Sequence, residues 1–435
     1  MIFIYSHIYT KRLLYILKVY FDSLLGVSFK IVTDKDEFLN YKGIKINYSD
    51  DFFENAINIK PYGLLSEKDI KKQSLNFFEV NQFKAFFRTS NYEIPFDLFS
   101  AAFYLLSFYE EYLPFECDIH GRFKDINSVP FRGGFHEEPI INKWAQFLKS
   151  VILNHYPGFI FNEPKFKITI TFDIDAAWAF KNKGLLRSIN FYLQSAFNRN
   201  KEKRNIIKNV LFKNAPDPLF VFDKIITIIK NYNFDLLWFF QVGKYGKYDK
   251  NSSTHNKEFR KLIQKLSENY KIGLHTSYIS PKSLKITKNE IDKLTNILGK
   301  PVKMNRQHFL RFYFPITFEN LITCGITDEY SIGYANIVGY RAGIANSFNF
   351  FNLYTNEETN LVFHPFIIMD NCLNRKMKLS PDKALNKCKE LAIKTKEYNG
   401  HFIILFHNNC LSGIEDWKGW ENFFEETMNI LDKIR

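Results

Sequence analysis

The chain has 435 residues, of which 46% are hydrophobic and 24% charged, and its formal net charge is +13. These values are typical of a folded protein of roughly two or three domains. The five cysteines are odd in number and contain no Cys-x-x-Cys pair, which argues against a disulfide framework or a thiolate zinc site and for a reducing compartment.

The positive charge is compatible with nucleic acid, an anionic membrane or an acidic substrate, but a lysine-rich solvated surface is favoured. Residues 181–214 contain nine Lys or Arg and a single acid, Glu202, with apolar residues interleaved. This segment is either an amphipathic stretch in peripheral contact with a membrane or anionic substrate, or a solvent-facing helix. No nucleic-acid-binding motif is present, so the protein is not expected to bind nucleic acid. The opening residues lack the order of a secretory signal, and no run approaches a membrane span, so we predict a cytoplasmic protein.

The first third of the chain has the pattern of an α/β segment. Residues 1–5 predict a strand, and residues 11–25 show helical spacing that ends at Gly26, a plausible C-cap. Apolar residues at helical intervals predict two more helices, at 96–112 and 142–154.

Pro, Gly and Asn cluster at 157–164 and mark the clearest break in the chain. We therefore predict an N-terminal α/β domain of unknown function over 1–160 and a second domain over 165–435. In the second domain, strands are predicted at 166–172, 236–242, 271–274, 361–369 and 401–406, and helices at 219–230, 256–269, 288–298, 381–398 and 420–434. This alternation predicts parallel strands with crossover helices, hence a barrel or a doubly wound sheet, with chemistry at the carboxyl ends of the strands.

Acidic and imidazole side chains follow three of these strands. Asp173 and Asp175 come after the first, His275 after the third, and His407 after the last. Two carboxylates two residues apart on an extended chain point the same way, and divalent metals favour such an Asp/His set. Each residue has a plainer alternative as a turn, a helix cap or a satisfied histidine. The joint pattern is stronger than any member of it.

The same segments resemble, in order, the motifs of the polysaccharide deacetylases (carbohydrate esterase family 4). Residues 171–176, TFDIDA, are similar to the first motif in its Asp-x-Asp form. The Phe-rich run LLWFFQ at 236–241 resembles the second strand. KIGLHT at 271–276 is similar to the second motif and FIILFHN at 402–408 to the last. The part before them resembles the uncharacterised domain that precedes a bacterial subgroup of this family. The resemblance implies a distorted (β/α) barrel preceded by a smaller α/β domain.

The resemblance also implies roles in removing an N-acetyl or other acyl group from an amino sugar. Asp173 would be the general base, Asp175 and His275 metal ligands, and His407 the general acid. Arg306 lies where an Arg-containing third motif would fall and would orient Asp173. The implied cofactor is a divalent metal, with zinc as the expected ion. The implied partner is an N-acylated sugar, and a lipid- or nucleotide-linked glycan precursor fits the absence of an export signal.

The chain departs from the family at Ile279, where a second metal-binding His is usual. His308 is the first candidate for the missing ligand, and Ser280 acting through a water is a weaker one. If no substitute exists, the barrel would be catalytically degenerate and would act as a carbohydrate-binding or assembly factor.

Several other side chains are candidates for contact with substrate around the predicted site. Arg341 is a candidate for substrate contact, with a structural salt bridge as the equal alternative. Trp417 and Trp420 are candidates for stacking on a sugar, with core packing favoured for at least one. His364 and Asp370 flank residues 365–369 and could line the mouth, although a strand-ending turn is slightly favoured.

Overall fold

The computed structural model describes residues 1–184 and 201–435, together with Arg187, Ile189 and Leu193. The predicted first strand is confirmed as β1, Ile2–Tyr5, which lies inside a parallel sheet of order β2-β1-β3-β4. A separate antiparallel pair, β5 and β6, follows. The remaining strands of this part are β2 Phe29–Val32, β3 Ile44–Asn47, β4 Ile57–Asn58, β5 Phe78–Val80 and β6 Phe83–Ala85.

The helix predicted at 11–25 is confirmed, as an α-helix Lys11–Leu17 that continues as a π-helix Lys18–Leu24. The helix predicted at 96–112 is shorter, Leu98–Leu106, because Phe108 takes a left-handed φ of 51° and breaks it. The third predicted helix is confirmed as Ile140–His155. Other helical segments of this part are Lys35–Asn40, Tyr109–Tyr112, Asp125–Asn127 and Val129–Arg132.

Beyond residue 165, the described residues form a nine-stranded sheet of order β12-β13-β11-β10-β9-β8-β7-β15-β14. Every pair in it is parallel except β12 with β13. Its strands are β7 Lys167–Ile174, β8 Asp235–Gln241, β9 Lys271–Thr276, β10 Met304–Gln307, β11 Asp328–Glu329, β12 Phe348–Asn352, β13 Glu357–Phe363, β14 Ile368–Met369 and β15 His401–His407. The prediction of a mixed α/β fold with a large parallel sheet is confirmed.

This sheet curls back on itself. Strands β13 and β14 are seven strand spacings apart, roughly 34 Å in a flat sheet. Only residues 364–367 join them, and an extended chain from Phe363 to Ile368 spans at most about 18 Å. Within this link, Phe366 N–H donates to Ile332 O and Ile367 N–H donates to Ile403 O, both at 2.9 Å. In the described residues β13 and β14 do not pair with each other, so no regular ladder closes the ring.

Helices pack against the sheet and share one hydrophobic core with the N-terminal part, so buried side chains from both regions are continuous. The helices predicted after the break are confirmed, with ends shifted by a few residues. Helical segments here are Lys201–Phe212, Phe222–Ile229, Lys257–Ser267, Leu284–Leu298, His308–Leu310, Ile316–Thr323, Cys372–Lys376, Pro381–Glu397, Asn408–Leu411, Glu415–Trp417 and Phe423–Ile434. No helix among the described residues is both long and apolar enough to cross a bilayer.

Several elements differ from the predictions, among them β11 Asp328–Glu329, β12 Phe348–Asn352 and the helix Ile316–Thr323, which were not predicted. The strand predicted at 361–369 is two strands, β13 and β14. They are separate because β13 pairs with β11 and β12, whereas β14 pairs with β15 at the other end of the strand order. Strand β10 was not predicted, because its sequence Met-Asn-Arg-Gln is mostly polar although all four residues are buried. Much of the basic segment 181–214, including its apolar residues Leu185, Leu186, Phe191, Tyr192 and Phe197, lies outside the described residues, as does the membrane contact predicted for it.

Candidate active site

The residues singled out by their position after strands meet at one edge of the large sheet. Asp173, near the end of β7, is in register with His407 at the end of β15. On the other side of β7 and β8, His275 of β9 is in register with Arg306 of β10. Because these parallel strands are neighbours, their carboxyl ends bring the side chains together.

Asp175, His275 and His308 form a group that can hold a metal ion, with one candidate ligand atom each, all within 4.8 Å of one another. Asp175 Oδ1 lies 3.3 Å from His275 Nε2 and 3.5 Å from His308 Nε2. This oxygen is buried and has no hydrogen-bond partner among the described residues. A buried carboxylate oxygen without a donor is costly. A cation bound by two imidazole nitrogens and a carboxylate oxygen would satisfy it, so the residues fit a divalent metal.

Both histidines are oriented for this role by the bonds of their other ring nitrogen. His275 Nδ1 lies 2.9 Å from Arg306 O, and His308 Nδ1 lies 2.8 Å from Asp249 Oδ1. Since a carbonyl and a carboxylate only accept, each Nδ1 carries a proton, which leaves each Nε2 as the ring nitrogen that can bind a metal. Gln241 donates to the same Asp249 oxygen at 2.7 Å, which holds that carboxylate in place.

The charge at this edge favours a cation. Burial on its own would raise the pKa of Asp175, but His308, His275 and His407 outweigh it and hold this pKa well below its usual range. Burial on its own would lower the pKa of His275, but Asp173 and Asp175 outweigh it and raise this pKa. The Asp175 carboxylate thus stays ionised and draws positive charge toward it.

Asp173 is buried beside the metal-binding group and is held by Arg306. Arg306 Nη1 donates to Asp173 Oδ1 at 2.8 Å and to Thr171 Oγ1 at 2.9 Å. Its Nε donates to Tyr330 O at 2.9 Å, and the guanidinium is fully buried. The other oxygen, Asp173 Oδ2, lies 3.7 Å from His275 Nε2. Arg306 therefore fixes one oxygen of Asp173 and leaves the other toward the metal-binding group.

His407 is coupled to a buried acid, Asp370. Its Nδ1 lies 2.7 Å from Asp370 Oδ1, and its backbone N–H donates to Asp370 Oδ2 at 2.7 Å. Burial opposes the charged imidazolium, but the charge and hydrogen bond of Asp370 outweigh it and raise the pKa of His407 to about 9. His407 is therefore protonated at neutral pH and is suited to donate a proton.

These side chains line a common cavity of about 290 Å³, which also receives two residues of the N-terminal part, His120 and Arg122. The members predicted from sequence are Asp173, Asp175, His275, His308 and His407. The structure thus brings the predicted base, acid and metal ligands together, with Arg306 directly behind Asp173.

Three predicted substrate-binding residues are not brought to this cavity. Arg341 is buried and paired with Glu111, with Nη2 2.6 Å from Oε1, so the structural salt-bridge alternative describes it. Trp417 and Trp420 are 1% and 5% exposed and pack edge-on against each other, so neither offers a face to a sugar. Ile279 is 54% exposed and is not among the cavity-lining residues, and His308 supplies a third candidate ligand from a different segment.

Sequence reasoning missed Asp249 and undervalued Asp370. Asp249 lies in a segment without helix or strand, and no pattern in the sequence links it to His308. Asp370 directly follows β14, so the strand-end rule that found Asp173 would have found it, had the turn alternative been set aside.

Fold and site together define an α/β protein with a buried Asp/His/His group, an Arg-held aspartate and an Asp-coupled histidine at one edge of its large sheet. Residues 2–157 match the model of a family of unknown function, DUF7033. No curated protein matches the chain.

Several solved structures are similar over most of their own length. One is from Mycobacterium smegmatis and is described as a polysaccharide deacetylase (12% identity, 62% of this chain and 86% of that one, TM-score 0.39). Another is the allantoinase Puue (11% identity, 62% and 85%, TM-score 0.37). A third is the polysaccharide deacetylase Bc1974 from Bacillus cereus (12% identity, 61% and 87%, TM-score 0.30). With TM-scores below 0.5, these similarities define no activity for this chain.

Proposed function

We propose that this protein is a metal-dependent hydrolase that removes an N-acetyl or other acyl group from an amino sugar in polysaccharide or glycoconjugate metabolism. The observation that carries the proposal is the meeting, in one cavity, of a metal-binding group, an Arg-held carboxylate and a protonated histidine. As part of the same proposal, the curled sheet is a distorted (β/α) barrel of the polysaccharide-deacetylase type, with the domain break at 157–164.

Asp175, His275 and His308 would hold the metal, with zinc as the expected ion because imidazole and carboxylate ligands suit it. When bound, such a cation polarises a carbonyl and makes water more acidic. The ligand set counters the degenerate alternative, because that alternative rested on the loss of one histidine at Ile279.

The remaining residues have complementary proton-transfer roles. Asp173 Oδ2 is left free by Arg306 and accepts a proton from the water that attacks the amide carbonyl carbon. The carbon–nitrogen bond then breaks, the acyl group leaves as a carboxylic acid, and His407 gives its proton to the departing amine. Asp370 keeps His407 charged until that step. An acid and a base in these roles each contribute about 10²–10⁴-fold in rate.

Acetate release from N-acetylated sugars tests the proposal, with free, oligomeric, lipid-linked and nucleotide-linked sugars compared as substrates. Asp173→Asn should lower kcat by about 10²-fold or more, because the amide cannot accept the proton. Asp235→Asn is the matched control, since Asp235 begins the neighbouring strand β8 at the opposite end of the sheet and pairs with Lys167. Equal rates in wild type and Asp173→Asn would remove Asp173 from the mechanism.

A further inference from the structure

The cavity is lined in part by His120 and Arg122, which do not belong to the large sheet. They lie in a loop of the N-terminal part formed by residues 118–122. Asp118 organises this loop, because its Oδ1 accepts the N–H groups of His120 at 2.8 Å and Arg122 at 2.9 Å. Asp118 Oδ2 also pairs with Arg122 Nη2 at 2.7 Å. Gly121 takes a left-handed φ of 74°, which suits glycine. Contacts within the loop thus define its conformation, in addition to its contacts with the sheet.

The loop is bound to the turn that carries His308. Arg122 Nη1 donates to Phe309 O at 2.7 Å, and in return Arg311 Nε donates to His120 O at 2.8 Å. Arg311 Nη1 also donates to Tyr278 O at 2.7 Å, and His120 Nδ1 lies 3.2 Å from the Tyr278 hydroxyl. Two arginines, one from each side, therefore connect the loop to the turn.

The turn after His308 has an unfavourable backbone. Phe309 and Leu310 have φ values of 60° and 51°, in the left-handed region that non-glycine residues avoid. Such strained residues persist only where the surrounding structure supports them. The conformation matters because it follows directly on the residue whose Nε2 faces Asp175.

We propose that the N-terminal part completes the catalytic cavity, with Arg122 as a positioning residue that holds the His308 turn in its metal-binding conformation. The inference rests on the proposed function only in that a metal binds to Asp175, His275 and His308. It gives the region matched by the family of unknown function a role: its 118–122 loop forms one wall of the site.

Binding of Co²⁺ alone, followed by its visible absorbance and by titration of the full chain, tests this role. Arg122→Gln should weaken Co²⁺ binding by about 10-fold or more, as is usual when a group that orients a ligand is removed, and should change the absorbance of the bound ion. Arg132→Gln is the matched control. Arg132 also pairs with a carboxylate, Glu110, and donates to a backbone carbonyl, Asn127 O, but both lie in the N-terminal part.

Equal Co²⁺ affinity and absorbance in wild type and Arg122→Gln would overturn this inference and leave the proposed function standing. A wild-type protein that binds neither Co²⁺ nor any other divalent ion would overturn both the inference and the proposed function. If Arg122→Gln does not fold by circular dichroism, Arg122→Lys carries the test, because Lys keeps the charge beside Asp118 but cannot also reach Phe309 O. Its Co²⁺ affinity should be lower than that of the wild type, and an unchanged affinity would overturn the inference.

Discussion

The coupling of His407 to Asp370 gives a prediction that does not depend on substrate or metal. Replacing Asp370 by Asn keeps the size of the side chain and its acceptor for the His407 backbone N–H, but removes the carboxylate charge. Burial lowers the pKa of His407 and is then opposed only by the charges of Asp175 and Asp173. We therefore expect this pKa to fall well below its value of about 9.

The same change alters stability in a way whose sign follows from linkage. The pKa of His407 is about 9 in the folded protein and 6.5 in the unfolded chain, so the native state binds the proton more tightly. The stabilisation is fully present below pH 6.5 and is lost as the pH rises through 9. At about 1.4 kcal/mol per pH unit, the difference corresponds to about 3 kcal/mol of unfolding free energy.

The assay is a histidine NMR titration of metal-free protein, with the His407 signal assigned through His407→Gln, together with urea unfolding at pH 6 and pH 10. Asp328→Asn is the matched control, because Asp328 pairs with another histidine of the same sheet, His364, at 2.8 Å. The control should leave the His407 titration unchanged. A His407 pKa that stays above about 8 in Asp370→Asn would refute the argument that Asp370 sets it.

Three further predictions concern the metal, acid stability and the buried tryptophans. Asp249→Asn should weaken Zn²⁺ binding by about 10–100-fold, measured by titration, because His308 loses the carboxylate that orients it; unchanged affinity would contradict this. Burial and the nearby charge of Lys167 lower the pKa of His401 to about 3. Below pH 6.5 the unfolded chain gains a proton at this residue while the folded protein does not, so the unfolding free energy decreases as the pH falls from 6.5 toward 3. At pH 4.5 this costs about 3 kcal/mol of unfolding free energy, and His401→Gln should flatten that dependence in urea unfolding. Trp420→Ala should lower the unfolding free energy by about 3–5 kcal/mol while the KM of the folded enzyme stays unchanged. A raised KM would instead indicate that Trp420 contacts the substrate.

The sequence by itself determined the elements whose side chains are apolar and periodic. Strands β7, β8 and β15 are runs of buried residues, and each predicted helix carries a repeated apolar face, so solvent exclusion alone predicts them. Together with β9, these strands locate Asp173, Asp175, His275 and His407, because a polar residue that directly follows a buried parallel strand must lie at the sheet's carboxyl edge.

Only the tertiary structure decided the rest of the site. Strand β10 is polar yet buried, since Arg306 is neutralised by Asp173 across two strands, and no local pattern reports such a partner. Asp249 reaches His308 across 59 residues and Arg122 reaches Phe309 across 187, so these contacts depend on the curl of the sheet and on where the N-terminal part packs. Long-range pairing of this kind leaves no periodicity in the chain, because each partner is selected by a neighbour that is distant in sequence.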